Sequence, residues 1–186
     1  MHRAVPRVRA VEKSSASPTR ILSKVEEGQA RDDPRMALEL RTPFCRELGS
    51  EHPVLSVGFA AGARAELVAA VSNAGAFGVL GASGIAPDFL AADIRRTRAL
   101  TDRPFGINLI IAEVRGADVE EDRAFLREQI RVATAEGVAA IVLFWGDASL
   151  YVDEPHAHGV KVLIQVGSVE EAEAAVAAGV DAVIAQ

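Results

Sequence analysis

Two patterns alternate along most of this chain: short apolar runs, and longer stretches whose apolar residues recur every three or four positions. The alternation is clearest from Gly159 to Gln186, GVKVLIQVGSVEEAEAAVAAGVDAVIAQ. Val160 to Val166 is apolar except for Lys161 and Gln165, the pattern of a strand covered on both faces. Ser168 then opens a helix, and Glu171 three residues on makes a capping box with it. Ala172, Ala175 and Val176 form the predicted apolar stripe, with Glu170, Glu171 and Glu173 on the wet side. Gly179 supplies a left-handed helix end. Asp181 to Gln186 reads as the next strand.

The same alternation runs upstream to His52. Val54 to Gly58 is a predicted strand, followed by a helix over Glu66 to Asn73 with Leu67, Ala70 and Val71 facing inward. Ala76 to Gly81 is the second strand. Pro87 suits the first turn of a helix reaching about Leu100. Pro104 leads into a third strand, FGINLII. A long helix is predicted over Ala117 to Glu136, with Phe125, Leu126, Ile130 and Ala133 as its buried stripe. Ala139 to Trp145 is the fourth strand, and Leu150 to His158 a short helix. Gly75, Gly137, Gly159 and Gly179 each lie between a helix and a strand, where a residue of positive φ is wanted. Strands linked through helices in this way lie parallel, joined by right-handed crossovers. Six strands, beginning near residues 54, 76, 104, 139, 160 and 181, suit a doubly wound open sheet by number. A (β/α)8 barrel has eight such units over about 250 residues. The dinucleotide fingerprint of the open sheet is absent, because GFAAG follows the first strand and not G-x-G-x-x-G.

Composition narrows the chemistry. The 186 residues carry a net charge of −6, so nucleic acid and anionic membrane are poor partners. No run of 18 apolar residues offers a transmembrane helix. Cys45 is the only cysteine, which excludes an intrachain disulfide; a cytoplasmic setting is expected. No histidine lies near it in sequence to support a catalytic thiolate. Residues 1–35 differ from the rest, with 8 Lys/Arg against 5 Asp/Glu. That balance of +3, set against −6 for the whole, leaves −9 for residues 36–186. No hydrophobic period is sustained there, and a disordered N-terminal extension over 1–35 is predicted. A transit peptide, or a start codon upstream of a folded protein that begins at Met36, would each produce such a segment.

Five segments, in series, carry a resemblance: HPVLSVGF, LVAAVSNAGAFGVLGASG, LTDRPFGINLIIAE, FWGD and VKVLIQVGSVEEAEAAVAAGVDAVIAQ. From about Leu40 to Gln186 the chain resembles the nitronate monooxygenase (2-nitropropane dioxygenase) family, FMN-dependent (β/α)8 barrels related to flavin enoyl-thioester reductases. The resemblance implies a partial TIM barrel, the first six βα units of eight, over residues 36–186. In the family a Gly-Gly-His segment with the catalytic base, and two units whose loops hold the FMN phosphate, follow the last strand seen here. No catalytic residue is therefore assigned within the sequence, and the 186-residue chain alone is expected to be inactive. The implied reaction is oxidation of an alkyl nitronate by oxygen. A flavin-dependent enoyl-thioester reductase and a non-catalytic barrel remnant are the alternatives.

The candidate site residues cluster at strand ends. Asn108 is an amide among apolar strand neighbours, costly unless bonded. It either bonds a neighbouring strand or, as the resemblance to the PFGxNL motif implies, contacts FMN. Gln186, at the end of VIAQ, matches the family's flavin-binding Gln; by itself it reads equally as a solvated polar residue. Gly58, Phe59 and Ala60 follow the first strand, and small residues there let backbone approach a flat ligand. Many family members have A-P-M-(A/G)-G at that place where this chain has VGFAAG, so the residue lying over the flavin is left open. Gln165 is either a core hydrogen-bonder or a mouth residue, and Trp145 either a pocket wall or rim packing. His156 and His158, two apart, point to different helix faces and do not form a metal site. His52 precedes the first strand, at the end of a barrel where residues serve stability.

Overall fold

The computed structural model describes residues 41–59, 62–112 and 119–186. The predicted extension over 1–35, and Ala60, lie outside them. Five strands form one parallel sheet in sequential order: β1 (Gly78–Gly81), β2 (Phe105–Ile110), β3 (Ala140–Phe144), β4 (Lys161–Val166) and β5 (Ala182–Ala185). The helices between them are α2 (Ala65–Asn73, before β1), α3 (Pro87–Leu100), α4 (Val119–Ala135), α5 (Asp153–Ala157) and α6 (Val169–Ala177). A short helix, α1 (Pro43–Leu48), precedes them all. Sequential order with parallel pairing is the winding of a (β/α)8 barrel, not of a doubly wound sheet, whose strand order reverses partway.

The first predicted strand is reduced to a single parallel bridge, Leu55 to Phe77. Phe77 N–H donates to Val54 O at 2.8 Å, and Ser56 N–H to Phe77 O at 2.9 Å. The next rung is lost because Val79 N–H is taken by the hydroxyl of Ser56, at 2.9 Å, in place of a strand carbonyl. The predicted helix from Leu150 to His158 is likewise two pieces: a 3₁₀ turn over Ala148–Leu150, then α5.

Alternate strand residues serve two cores. The larger core holds Leu80, Ile107, Leu109, Ile141, Leu143, Val162 and Ile164 with the inner faces of α2, α3, α4 and α6. The smaller one, on the other side of the sheet, holds Phe77, Val79, Ala140, Val142 and Leu163 and is closed by Leu48 and Phe44 of α1. Thr42 caps α1 and Pro43 fills its first turn. The helix lies at the amino ends of the strands, where Glu47 pairs with Lys161 at 3.4 Å and Lys161 with Asp181 at 3.0 Å. Asp181 also receives His156 Nε2 at 2.9 Å and Val162 N–H at 2.8 Å, so His156 is a structural partner at the barrel bottom. His52 belongs to the same end, its N–H donating to Gly75 O at 2.9 Å.

Two helices are phased differently from the predicted stripes. In α2 the buried residues are Ala65, Val68, Ala69 and Ser72, whereas Leu67 is 41% exposed and Ala70 is also outside. Ser72 can lie inside because its Oγ donates to Pro104 O at 3.1 Å and accepts Gly78 N–H at 3.2 Å. In α4 Gln129, Ile130, Ala133 and Thr134 are buried and Phe125 faces out. Val176 of α6 is exposed as well. Buried polar side chains shift the true inner face by a residue or so, a shift invisible to a pattern that counts them as outside. Ser168 does cap α6, accepting Glu171 N–H at 3.1 Å; the Glu171 carboxylate reaches Gly167 N–H at 2.7 Å, one residue before the cap. The four glycines between helix and strand all hold positive φ, from 73 to 87°.

Candidate active site at the carboxyl end of the sheet

The strands end on one side in a shallow cavity of about 260 Å³. Asn108 enters it from β2, flanked in register by Gly81 of β1 and Val142 of β3. Its Nδ2 donates to Val142 O at 3.1 Å. One half of the amide is thus held by the neighbouring strand, while its Oδ1 takes no partner among the described residues and is left toward the cavity. Both readings of Asn108 have a place here, because the bond to β3 fixes the orientation in which the oxygen is offered.

Gly58 closes down on that same residue. A Cβ at position 58 would lie 2.5 Å from Asn108 Cβ, 2.8 Å from Leu80 O and 3.0 Å from Val79 Cγ1. Only glycine lets the segment after the Ser56 bridge come so close to the sheet. Phe59 also lines the cavity and is 53% exposed; its carbonyl accepts Gly62 N–H at 3.1 Å and Ala63 N–H at 2.9 Å. Gln165 of β4 reaches the mouth, and its Nε2 donates to Gln186 Oε1. The structure therefore brings Gly58, Phe59 and Asn108 to one cavity, with Gln186 joined to it through Gln165.

Sequence reasoning missed Ser83, which lines the cavity from the turn after β1. Among the described residues none that lines it is charged: the set is Asn, Gln and Ser among Val57, Ile110, Phe59, Phe144 and glycines. Such a surface suits a flat, neutral, hydrogen-bonding group better than an ion.

Trp145 follows β3 beside the mouth. It is the one non-glycine with positive φ among the described residues, at 51°, and is 56% exposed. Its ring lies 4.1 Å from that of Phe144, tilted by 32°. Gly146 follows at φ 123°, and a Cβ there would meet Ile111 O at 2.7 Å. The backbone is held in a costly conformation by this tight turn, a situation typical of functional loops. Trp145 also walls a second cavity of about 260 Å³, which shares Gln165 with the first. Asp147 caps the 3₁₀ turn by accepting Ser149 N–H at 2.9 Å. The bonds from Ser149 hold the Asp147 carboxyl below the usual range, against a smaller opposing effect of burial.

Cys45 is fully buried in α1, away from this mouth, with its Sγ 3.4 Å from Thr42 Oγ1. His158, just past the end of α5, has its Nδ1 2.9 Å from Glu154 O.

Five parallel strands in sequential order with helices between them define the class: part of a (β/α)8-barrel architecture, a fold whose sites lie at the carboxyl ends of the strands. The model of the nitronate monooxygenase family matches residues 42–186, and the chain belongs to that family of oxidoreductases. It is 32% identical over 149 residues to (3aS,4S,5R,7aS)-5-hydroxy-7a-methyl-1-oxo-octahydro-1H-indene-4-carboxyl-CoA dehydrogenase of Mycobacterium tuberculosis, covering 80% of this chain and 39% of that one. It is 30% identical over 173 residues to nitronate monooxygenase of Pseudomonas aeruginosa, covering 77% and 49%. Among solved structures it resembles FabK from Thermotoga maritima, with a TM-score of 0.68 and 34% identity over 78% of this chain and 43% of that one. The chain spans less than half the length of each. Among the described residues no helix is long and apolar enough to cross a membrane.

Proposed function

We propose that this chain forms part of an FMN-dependent enzyme that oxidises alkyl nitronates with oxygen, and that FMN lies across the mouth described above. The observation that carries this is the convergence of Gly58, Phe59, Asn108 and Gln165 on one surface without charge among the described residues, with Gln186 bonded to Gln165 at its edge. The residues fit a flavin ring. Asn108 offers an acceptor whose direction is fixed by Val142 O, and Gln186 keeps an amide N–H₂ to donate. Gly58 keeps the overlying backbone low, and Phe59 adds apolar surface beside it. A cavity of about 260 Å³ falls short of the ~300–1,000 Å³ of ordinary ligand pockets, as expected if it takes the ring portion of a larger cofactor.

When bound, FMN supplies the redox chemistry, and the protein supplies binding, orientation and electrostatics. Asn108 and Gln186 hydrogen-bond the ring edge and fix its rotation in the mouth. Trp145, Phe144 and Phe59 exclude water from its flanks. The second cavity, behind Trp145 and Gln165, gives a small substrate a place beside the ring.

The test is the visible spectrum of the purified full-length protein, followed by oxygen uptake with an alkyl nitronate and no nicotinamide. A flavin spectrum and nitronate-dependent oxygen uptake support the reading. A second reading, thioester chemistry, is favoured by the dehydrogenase relative whose name specifies a CoA ester. Consumption of NAD(P)H with an enoyl thioester, without nitronate turnover, would replace the first reading by that one. A colourless protein that takes up no FMN would end both.

A further inference from the structure

The turn between β1 and α3 presents a hydroxyl to the mouth. Ala82 to Ile85 reads A-S-G-I, and Ile85 N–H donates to Ala82 O at 3.0 Å. Gly84, third in the turn, has φ 73°, the positive value that this place in a type II turn requires. Ser83 is second, and it lines the cavity with Asn108. Its Oγ accepts Ile110 N–H at 2.8 Å, so a side chain continues the β2 ladder where β1 has already ended. A serine oxygen that accepts still has its own hydrogen to give, and no described residue takes it.

Behind the turn stands Gln129 of α4, fully buried. Its Nε2 donates to Ala82 O at 2.8 Å and to Ile85 O at 2.7 Å. One amide thus grips the first and last carbonyls of the turn. Its Oε1 is buried without a partner, an arrangement the fold carries so that both donors can reach the turn.

Resting on the FMN reading above, we infer that Ser83 donates a hydrogen bond to an acceptor atom of the ring at the mouth, and that Gln129 is the positioning residue holding it there. β1 and β2 pair Gly81 with Asn108, so the Ser83 donor and the Asn108 Oδ1 acceptor come from neighbouring strand ends. That pair is complementary to a planar ring bearing a carbonyl next to an N–H, as the pyrimidine part of a flavin does.

The experiment titrates FMN into the full-length apoprotein and follows both the dissociation constant and the visible spectrum. Ser83→Ala is expected to weaken binding about 2- to 13-fold, the loss of one hydrogen bond, and to shift the flavin band. Ser83→Thr, which keeps the hydroxyl, restores both. Gln129→Leu weakens binding similarly, and adding Ser83→Ala to it costs nothing further, because the hydroxyl is already misplaced. If Gln129→Leu fails to fold, Gln129→Glu replaces it. Its carboxylate has no donor, so FMN affinity relative to wild type rises as pH falls and the carboxyl gains a proton to give. Wild-type affinity and spectrum in Ser83→Ala overturn the contact while the FMN reading stands. Additive losses, or a Gln129→Glu affinity that tracks wild type at every pH, overturn the positioning role. A wild type that binds no FMN removes both the contact and the reading it rests on.

Discussion

Replacing Gly58 by alanine puts one methyl group where the structure has no room for it. Of the three atoms it would meet, Leu80 O at 2.8 Å belongs to the sheet backbone and Asn108 Cβ at 2.5 Å to a side chain anchored on β3. Neither can retreat without moving a strand, so the segment carrying residue 58 must lift instead. Overpacking of this kind costs about 1–3 kcal/mol. At about 2–4 °C per kcal/mol for a chain of this size, the melting temperature should fall by about 2–12 °C. Lifting the segment also raises the backbone over the mouth, so FMN affinity should fall with it. Differential scanning fluorimetry and flavin titration measure the two effects. Asn108→Gly in the same chain removes the nearest of the three contacts but not Leu80 O, so it should recover only part of the lost melting temperature. A Gly58→Ala protein that melts and binds FMN like the wild type would refute the close approach itself.

Asn108→Ala should weaken FMN about 2- to 13-fold, the loss of one hydrogen bond; unchanged affinity in a flavin titration would make Asn108 a purely structural amide. Burial pushes the Asp181 carboxyl up, but Val162 N–H, Lys161 and His156 together outweigh it and hold its pKa below the usual value. Its contribution to stability is therefore present in full above the unfolded carboxylate pKa of about 3.9 and lost as pH falls through the lower folded value. Asp181→Asn should flatten the fall in melting temperature below about pH 4, and an acid profile parallel to the wild type would count against this. Deletion of residues 1–35 should leave the melting temperature unchanged in the same assay; a drop of several degrees would show that the segment packs on the domain.

The order of helices and strands was legible because their boundaries use unambiguous residues. Pro87 begins α3, and Gly75, Gly137, Gly159 and Gly179 end helices in the left-handed region. Side-chain facing was less legible, because Ser72 and Gln129 lie inside, the hydroxyl of one and the amide nitrogen of the other bonded to neighbouring backbone. The first strand was over-read for a related reason: apolar content marks a strand, but a serine hydroxyl can end its ladder. At the site, Asn108 stood out as an amide among apolar residues. Ser83 did not, since a serine beside glycine looks like any turn; the signal was there in A-S-G-I, where Gly84 fixes the turn type and so the direction of the residue before it.

The Ser56 hydroxyl has a consequence for how the mouth can change. A ladder ended by a side chain does not transmit its register, so beyond the Leu55 bridge the stretch leading to Phe59 is held by the packing of Gly58 on β1 and β2 and not by strand pairing. Its course can therefore vary on either side of Gly58 without re-aligning a strand, while position 58 itself stays glycine. The sheet and the segment above its mouth are in this sense separate parts, joined at Leu55 and Ser56.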